Sequence, residues 1–157
     1  MTKSWTFRSA GQVVFGSGVI TELGELTLKR GCKKALVVTD ETLIGAGVVE
    51  IALKSLQKTG VEVEVFAGGE PEPSTQVAQA ATEVARSFQP DAVVGIGGGS
   101  NMDLAKCVAT LHVHGGSPAD YFGYDMVSGP VLPIICVPTT AGTGSEVSHS
   151  AVLTDLE

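Results

Sequence analysis

Apolar residues along the chain switch between two periods, and the switches mark out alternating strands and helices. Gln12 to Phe15 is a short β-prone run, after which Gly16-Ser17-Gly18 turns the chain into Val19 to Arg30. That stretch mixes apolar and charged residues and is closed by Gly31, so it predicts a helix with a glycine past its end. Ala35 to Thr39 (ALVVT) is apolar at consecutive positions, the pattern of a strand buried on both faces. After Asp40, Val49, Ala52, Leu53 and Leu56 recur at i, i+3, i+4 and i+7 and predict a helix that runs to Gly60. Val61 to Phe66 alternates Val with Glu, which predicts a strand with one wet face near a sheet edge.

The second half repeats the scheme. Ser74 is placed to cap a helix whose Val77, Ala80, Ala81, Val84 and Phe88 form an apolar stripe before Pro90 stops it. Ala92 to Ile96 is another buried-type strand, and Gly97-Gly98-Gly99 leads into a helix from about Asn101 to His114, with Leu104, Val108 and Leu111 inward. Val131 to Val137 reads as a strand with Pro133 outside the hydrogen-bonded ladder. Strands alternating with helices over short connections imply an α/β fold, a Rossmann-like and mostly parallel sheet with helices on both faces. Ligands of such sheets sit beyond the carboxyl ends of the strands.

Composition narrows the function. At 157 residues with 43% hydrophobic positions, the chain suits one compact core. Its net charge of -7 argues against nucleic acid or an anionic membrane surface as partner, since both need clustered Lys and Arg. Any phosphate it binds must be held mostly by backbone. No apolar run approaches the roughly 20 residues of a membrane span. Trp5, Phe7 and Val13 to Phe15 are separated by polar residues and glycines, so no export signal is expected. Cys32, Cys107 and Cys136 are odd in number and lack a CxxC spacing, which fits a reducing cytoplasm.

Two loops could carry chemistry. In VVGIGGGSNMD (Val93 to Asp103) a strand passes through glycines into a helix, where a diphosphate would meet unpaired N–H groups and the positive end of the helix dipole. Ser100 and Asp103 also have the spacing of a capping box, so a plain capped helix is an equal reading on local sequence. In VPTTAGTGSE (Val137 to Glu146) hydroxyls and glycines follow another buried strand and can bond phosphate, ribose or a carboxamide without adding charge. Thr143 and Glu146 are a second possible capping box. The best ribose-binding acid, Asp40, precedes the glycines, whereas the usual dinucleotide fingerprint places its acid after them.

GGGSNMDLAK (Gly97 to Lys106), PTTAGTGSEVS (Pro138 to Ser148), VVTD (Val37 to Asp40) and the opening FGSG together resemble the N-terminal half of the iron-containing, group III alcohol dehydrogenases. The resemblance implies that residues 1–157 form one dinucleotide-binding α/β domain. Gly97, Gly98, Gly99 and Ser100 would hold the pyrophosphate, Thr139, Thr140 and Thr143 would lie toward the nicotinamide, and Asp40 would bond the adenosine ribose. NAD is expected rather than NADP, because a carboxylate would oppose a 2′-phosphate. The resemblance also implies a small alcohol or aldehyde substrate, a homodimer, and a following all-helical domain whose Asp and three His hold Fe²⁺ or Zn²⁺. That domain is absent from this chain, which is expected to be a fragment inactive by itself. Two departures or alternatives accompany this. Glu72 stands between Pro71 and Pro73 where the family often has Asn, and Ser150 falls near the substrate side. A glycerol dehydrogenase or dehydroquinate synthase relative, or a non-catalytic nucleotide-binding module, is the competing reading.

No metal site is expected. His112 and His114 lie two apart on a helix and point about 200° away from each other. His149 has no ligand-spaced partner. Lys106, two turns into its helix, is expected to bond a nearby carbonyl or carboxylate, and Cys107 and Cys136 to pack in the core.

Overall fold

A computed structural model describes residues 9–156; Trp5 and Phe7 lie outside the described residues. Among the described residues five helices and four strands follow one another as α1 (Leu23–Lys29), β1 (Lys34–Val38), α2 (Glu41–Gly45), α3 (Val48–Lys58), β2 (Glu62–Phe66), α4 (Thr75–Phe88), β3 (Ala92–Gly97), α5 (Gly99–His114) and β4 (Ile134–Pro138). Short 3₁₀ turns cover Val19–Glu22, Pro118–Tyr121 and Ser145–Val147. The strands form one parallel sheet in the order β2-β1-β3-β4.

Alternation along β1 and β3 builds two cores. Leu36, Val38 and Val93 face α4 and α5, packing on Ala78, Ala81, Ala85, Leu104, Ala105 and Val108. Ala35, Val37, Val94 and Ile96 face α1 and α3, packing on Leu23, Val49, Ala52 and Leu56. Helices thus cover both faces, which is why β3 and, after Lys34, β1 are apolar at consecutive positions. β2 lies at the edge with its glutamates in solvent, as its alternation predicts. Pro133 precedes β4 and contributes only its carbonyl, which accepts from the Val93 N–H at 2.9 Å.

Three local expectations are corrected. Gln12 to Phe15 forms no strand and pairs with none among the described residues, and Phe15 is 98% exposed. The helix after Asp40 is two helices, broken where Gly47 takes φ 73°, a left-handed conformation that suits glycine. On α4 the deepest residues are Ala78, Ala81, Thr82 and Ala85, while Ala80 is exposed and Val77, Val84 and Phe88 only flank the core. The facing surface of α5 sets this: Ala105 and Ala109 let the two helices approach closely only along small side chains.

Candidate functional site

The strand order creates a crevice. From β1 the chain runs outward to β2 and then returns to the other side of β1 as β3, so the carboxyl ends of β1 and β3 flank a topological switch point. Asp40, one residue past Thr39 at the end of β1, caps α2: its Oδ1 accepts from the Leu43 N–H at 2.9 Å. Its Oδ2 accepts from Asn101 Nδ2 of α5 at 2.7 Å. Asp40 therefore stands at the crevice with both oxygens fixed by protein donors, each keeping acceptor capacity for a further partner.

Across the crevice, α5 begins at Gly99, two residues before the predicted start, with Gly98 as N-cap and no side chain bonded to its first N–H groups. Ser100 and Asp103 sit inside the helix and form no capping box; Asp103 is turned to other partners. The contrast with its neighbours is informative, since α2 and α4 are capped by Asp40 and by Ser74, whose Oγ accepts from the Val77 N–H. The N–H groups of Gly99, Ser100 and Asn101 have no intrahelical acceptor by geometry and face the switch point at the positive end of a 16-residue helix.

The three glycines have different causes. Gly97 takes φ 146°, and a Cβ there would lie 2.2 Å from Asn101 Nδ2, so the fold itself requires glycine. Gly98 has φ −76° and ψ −172°, which any residue adopts. A Cβ on Gly98 would come 3.3 Å from Thr140 Oγ1, and one on Gly99 3.2 Å from Thr143 Cβ. The threonines of the second loop therefore lie against the bare helix start, and the absence of Cβ at Gly98 and Gly99 leaves the backbone approachable there. The loops are joined directly, because the Thr139 N–H donates to the Gly97 carbonyl at 2.8 Å.

A buried polar network holds the second loop in place. Lys106 Nζ lies within hydrogen-bond distance of four oxygens, Asp103 Oδ1 at 3.0 Å, Ser145 Oγ at 2.8 Å, Ser148 Oγ at 3.2 Å and the Ser150 carbonyl at 2.7 Å, among which its three N–H groups are shared. Asp103 Oδ1 also accepts from Ser145 Oγ at 2.5 Å, and its Oδ2 accepts from the Val152 N–H at 3.0 Å. The Lys106 and Asp103 side chains are only 10% and 12% exposed. From Ser145 the network reaches the roof of the glycines, since the Ser145 N–H donates to Thr143 Oγ1 at 3.3 Å. Thr143 and Glu146 form no capping box; Gly144 precedes the 3₁₀ turn, and Glu146 Oε2 is buried without a hydrogen-bond partner.

The other candidates lie elsewhere. His114 Nε2 is 3.0 Å from the Pro130 carbonyl, and His112, near the same helix end, has its pKa lowered by burial and by the Arg86 charge. Burial pushes the Cys107 thiol up to about 12 and raises that of Cys136. Glu72 is exposed at φ 51° in its turn, while neighbouring Glu70 accepts from the Ser74 N–H and Oγ. Two surface depressions line α4 near Glu83 and are remote from the glycines. Lys106 bonds a carboxylate and a carbonyl, as expected, whereas sequence reasoning missed Asn101 and the distant partners of Asp103. A polar residue at the third helical position carries no signal of burial, and Ser145 and Val152, which bond Asp103, are 42 and 49 residues away in sequence.

A parallel α/β sheet with a bare helix N-terminus and a hydroxyl-lined loop at its switch point defines the class of dinucleotide-binding folds. Within that class the chain belongs to the iron-containing alcohol dehydrogenase family, whose sequence model matches residues 10–157. It is 39% identical over 142 residues to the NAD-dependent methanol dehydrogenase of Bacillus methanolicus, covering 90% of this chain and 37% of that protein. It is 40% identical over 145 residues to the 1,3-propanediol dehydrogenase of Klebsiella pneumoniae, covering 91% and 38%. Among solved structures, a 1,3-propanediol oxidoreductase superposes with a TM-score of 0.94 at 36% identity, over 98% of this chain and 40% of its own. The sulfoacetaldehyde reductase of Bifidobacterium kashiwanohense, solved in complex with NAD⁺, superposes with a TM-score of 0.87 at 31% identity, covering 98% and 41%. The chain thus spans about two fifths of the length of these relatives.

Proposed function

We propose that this chain is the NAD-holding part of a metal-dependent alcohol dehydrogenase that moves a hydride between a small alcohol and its aldehyde or ketone. The observation that carries the reading is the uncapped start of α5 at the switch point, lying against Thr140 and Thr143. In this reading the N–H groups of Gly99 and Ser100 bind the diphosphate, with Gly98 leaving room for it, while Thr139, Thr140 and Thr143 orient the nicotinamide end. Asp40 accepts from the adenosine ribose, which selects NAD over NADP. NAD, when bound, supplies the hydride acceptor at its nicotinamide ring. The relatives named above as NAD-dependent or solved with NAD⁺ support the same choice of cofactor.

The family name implies iron, but among the described residues no three His, Cys, Asp or Glu side chains come together to hold a metal ion. In this reading the described residues hold the nucleotide, and none of them is assigned as a metal ligand. No helix among the described residues is long and apolar enough to cross a membrane. A cytoplasmic homodimer is part of the proposal, supported by three free thiols and by apolar side chains left in solvent, such as Phe15 and Tyr124.

Calorimetric titration with NAD tests the reading through Gly98→Val. The backbone angles at Gly98 are open to valine, and a Cβ there meets only the side chain of the exposed Thr140, at 3.3 Å, which has to give slightly; the variant is expected to keep its circular dichroism spectrum. Its branched side chain occupies the diphosphate's place, and NAD affinity is expected to fall by at least tenfold, about 1.4 kcal/mol. Unchanged affinity in the folded variant overturns the assignment.

A further inference from the structure

Asn101 is 3% exposed and lies where three segments meet at the switch point. Its Nδ2 donates to the Ile96 carbonyl at 3.1 Å and to Asp40 Oδ2 at 2.7 Å, joining the ends of β3 and β1. Two glycines enclose the carboxamide. A Cβ on Gly69 would stand 2.1 Å from its Oδ1, and one on Gly97 2.2 Å from its Nδ2. The Gly69 N–H in turn bonds the Thr39 carbonyl at 2.9 Å, so the loop beside Asp40 is drawn in around the same amide. An apolar side chain would fill this space without supplying the donor that Asp40 meets. With the Leu43 N–H on one oxygen and Asn101 on the other, the Asp40 carboxylate is held in one orientation by two separate helices.

We propose that Asn101 is a positioning residue for cofactor specificity: it fixes the Asp40 carboxylate so that its charge bears on the 2′ position of the adenosine ribose and selects NAD against NADP. The proposal rests on the NAD reading above. Asn101 does not touch the nucleotide; it acts through Asp40. Loss of its donor leaves the carboxylate held at Oδ1 alone by the Leu43 N–H, so that Oδ2 can turn to water, where its charge is screened and its alignment on the ribose is lost. NAD binding then weakens while the obstacle to the 2′-phosphate diminishes.

The test compares dissociation constants for NAD and NADP in wild type, Asn101→Leu, Asn101→Ala, Asp40→Asn and Asp40→Asn/Asn101→Leu, with folding checked by circular dichroism. The expected result is a wild-type preference for NAD that drops at least tenfold in a folded Asn101 variant. Asp40→Asn is expected to drop it similarly, and the added Asn101→Leu to drop it no further. A merely structural role would weaken both nucleotides together and leave the ratio unmoved, which overturns the proposal. Failure of both Asn101 variants to fold also overturns it, by assigning the residue to the fold alone. Wild type that binds neither nucleotide refutes the NAD reading itself, whereas wild type that prefers NAD with an unmoved ratio in the variants refutes only the role of Asn101.

Discussion

Replacing Lys106 by methionine removes one charge from a pair enclosed between α5 and the loop after β4. The side chains of Lys106 and Asp103 are 10% and 12% exposed, so solvent screens neither well. Breaking such a pair by deleting one partner costs about 3–5 kcal/mol, because the remaining charge stays buried. Asp103 keeps two donors in the variant, Ser145 Oγ–H and the Val152 N–H, which places the expected loss near the lower end, about 3 kcal/mol. For a chain of this length that corresponds to a fall of about 6–12 °C in Tm. Urea denaturation followed by circular dichroism measures it directly. Lys106→Met/Asp103→Leu is expected to recover part of the loss, since no unpaired charge remains. The variant should also bind NAD less tightly, as Ser145, Ser148 and Ser150 lose their common anchor. A loss below about 1 kcal/mol, the range of an exposed pair, would refute the view that this ammonium holds the loop.

Two further outcomes are expected. Gly95→Val should lower stability by about 1–3 kcal/mol or more in urea titrations, because even a Cβ would stand 2.9 Å from Ala105 Cβ and 3.1 Å from Met102 Cα; a variant of unchanged stability would contradict the close packing of β3 on α5. Cys107, pushed by burial from 9.0 up to about 12, should react with a disulfide reagent at pH 8 only after unfolding. The sign follows from linkage: its contribution to stability is complete below the unfolded value and is lost as pH rises toward about 12, so unfolding free energy should decline above pH 9.

The layered fold was legible because burial on two faces leaves a mark that burial on one face does not. Ala35 to Val38 and Ala92 to Ile96 carry no polar side chain, and both lie in central strands. The spacing of Val49, Ala52 and Leu56 is equally direct, since an amphipathic helix repeats its inward face every 3.6 residues. Local preference failed where a distant surface decides. Gln12 to Phe15 has β-prone residues but pairs with no strand among the described residues, and a strand without a partner forms no ladder. On α4 the large residues Val77, Val84 and Phe88 drew attention, yet the alanines went inward because α5 presents alanines to them.

The site divides along the same line. Glycines and threonines after buried strands announce a loop that backbone or ligand can approach, so Gly97 to Gly99 and Thr139 to Thr143 were visible. Asn101 and Asp40 are separated by 61 positions, and their meeting depends on β3 lying next to β1, which no local pattern encodes. Lys106 and Asp103 have the i, i+3 spacing of an ordinary exposed helix pair; only the return of the chain at Ser145 and Val152 encloses them. This arrangement has a chemical consequence for a protein of net charge -7. The cation nearest the hydroxyl-rich loop is already neutralised by Asp103 and directed at serine oxygens, so it adds little attraction for a phosphate. In the proposed reading, attraction for the diphosphate would therefore rest on the uncharged N–H groups of Gly99 and Ser100 and on the helix dipole behind them. Such donors act at short range and only on a backbone that can be approached, so the proposal makes the shape of the Gly98 turn, rather than the charge of any one side chain, the feature on which binding would depend.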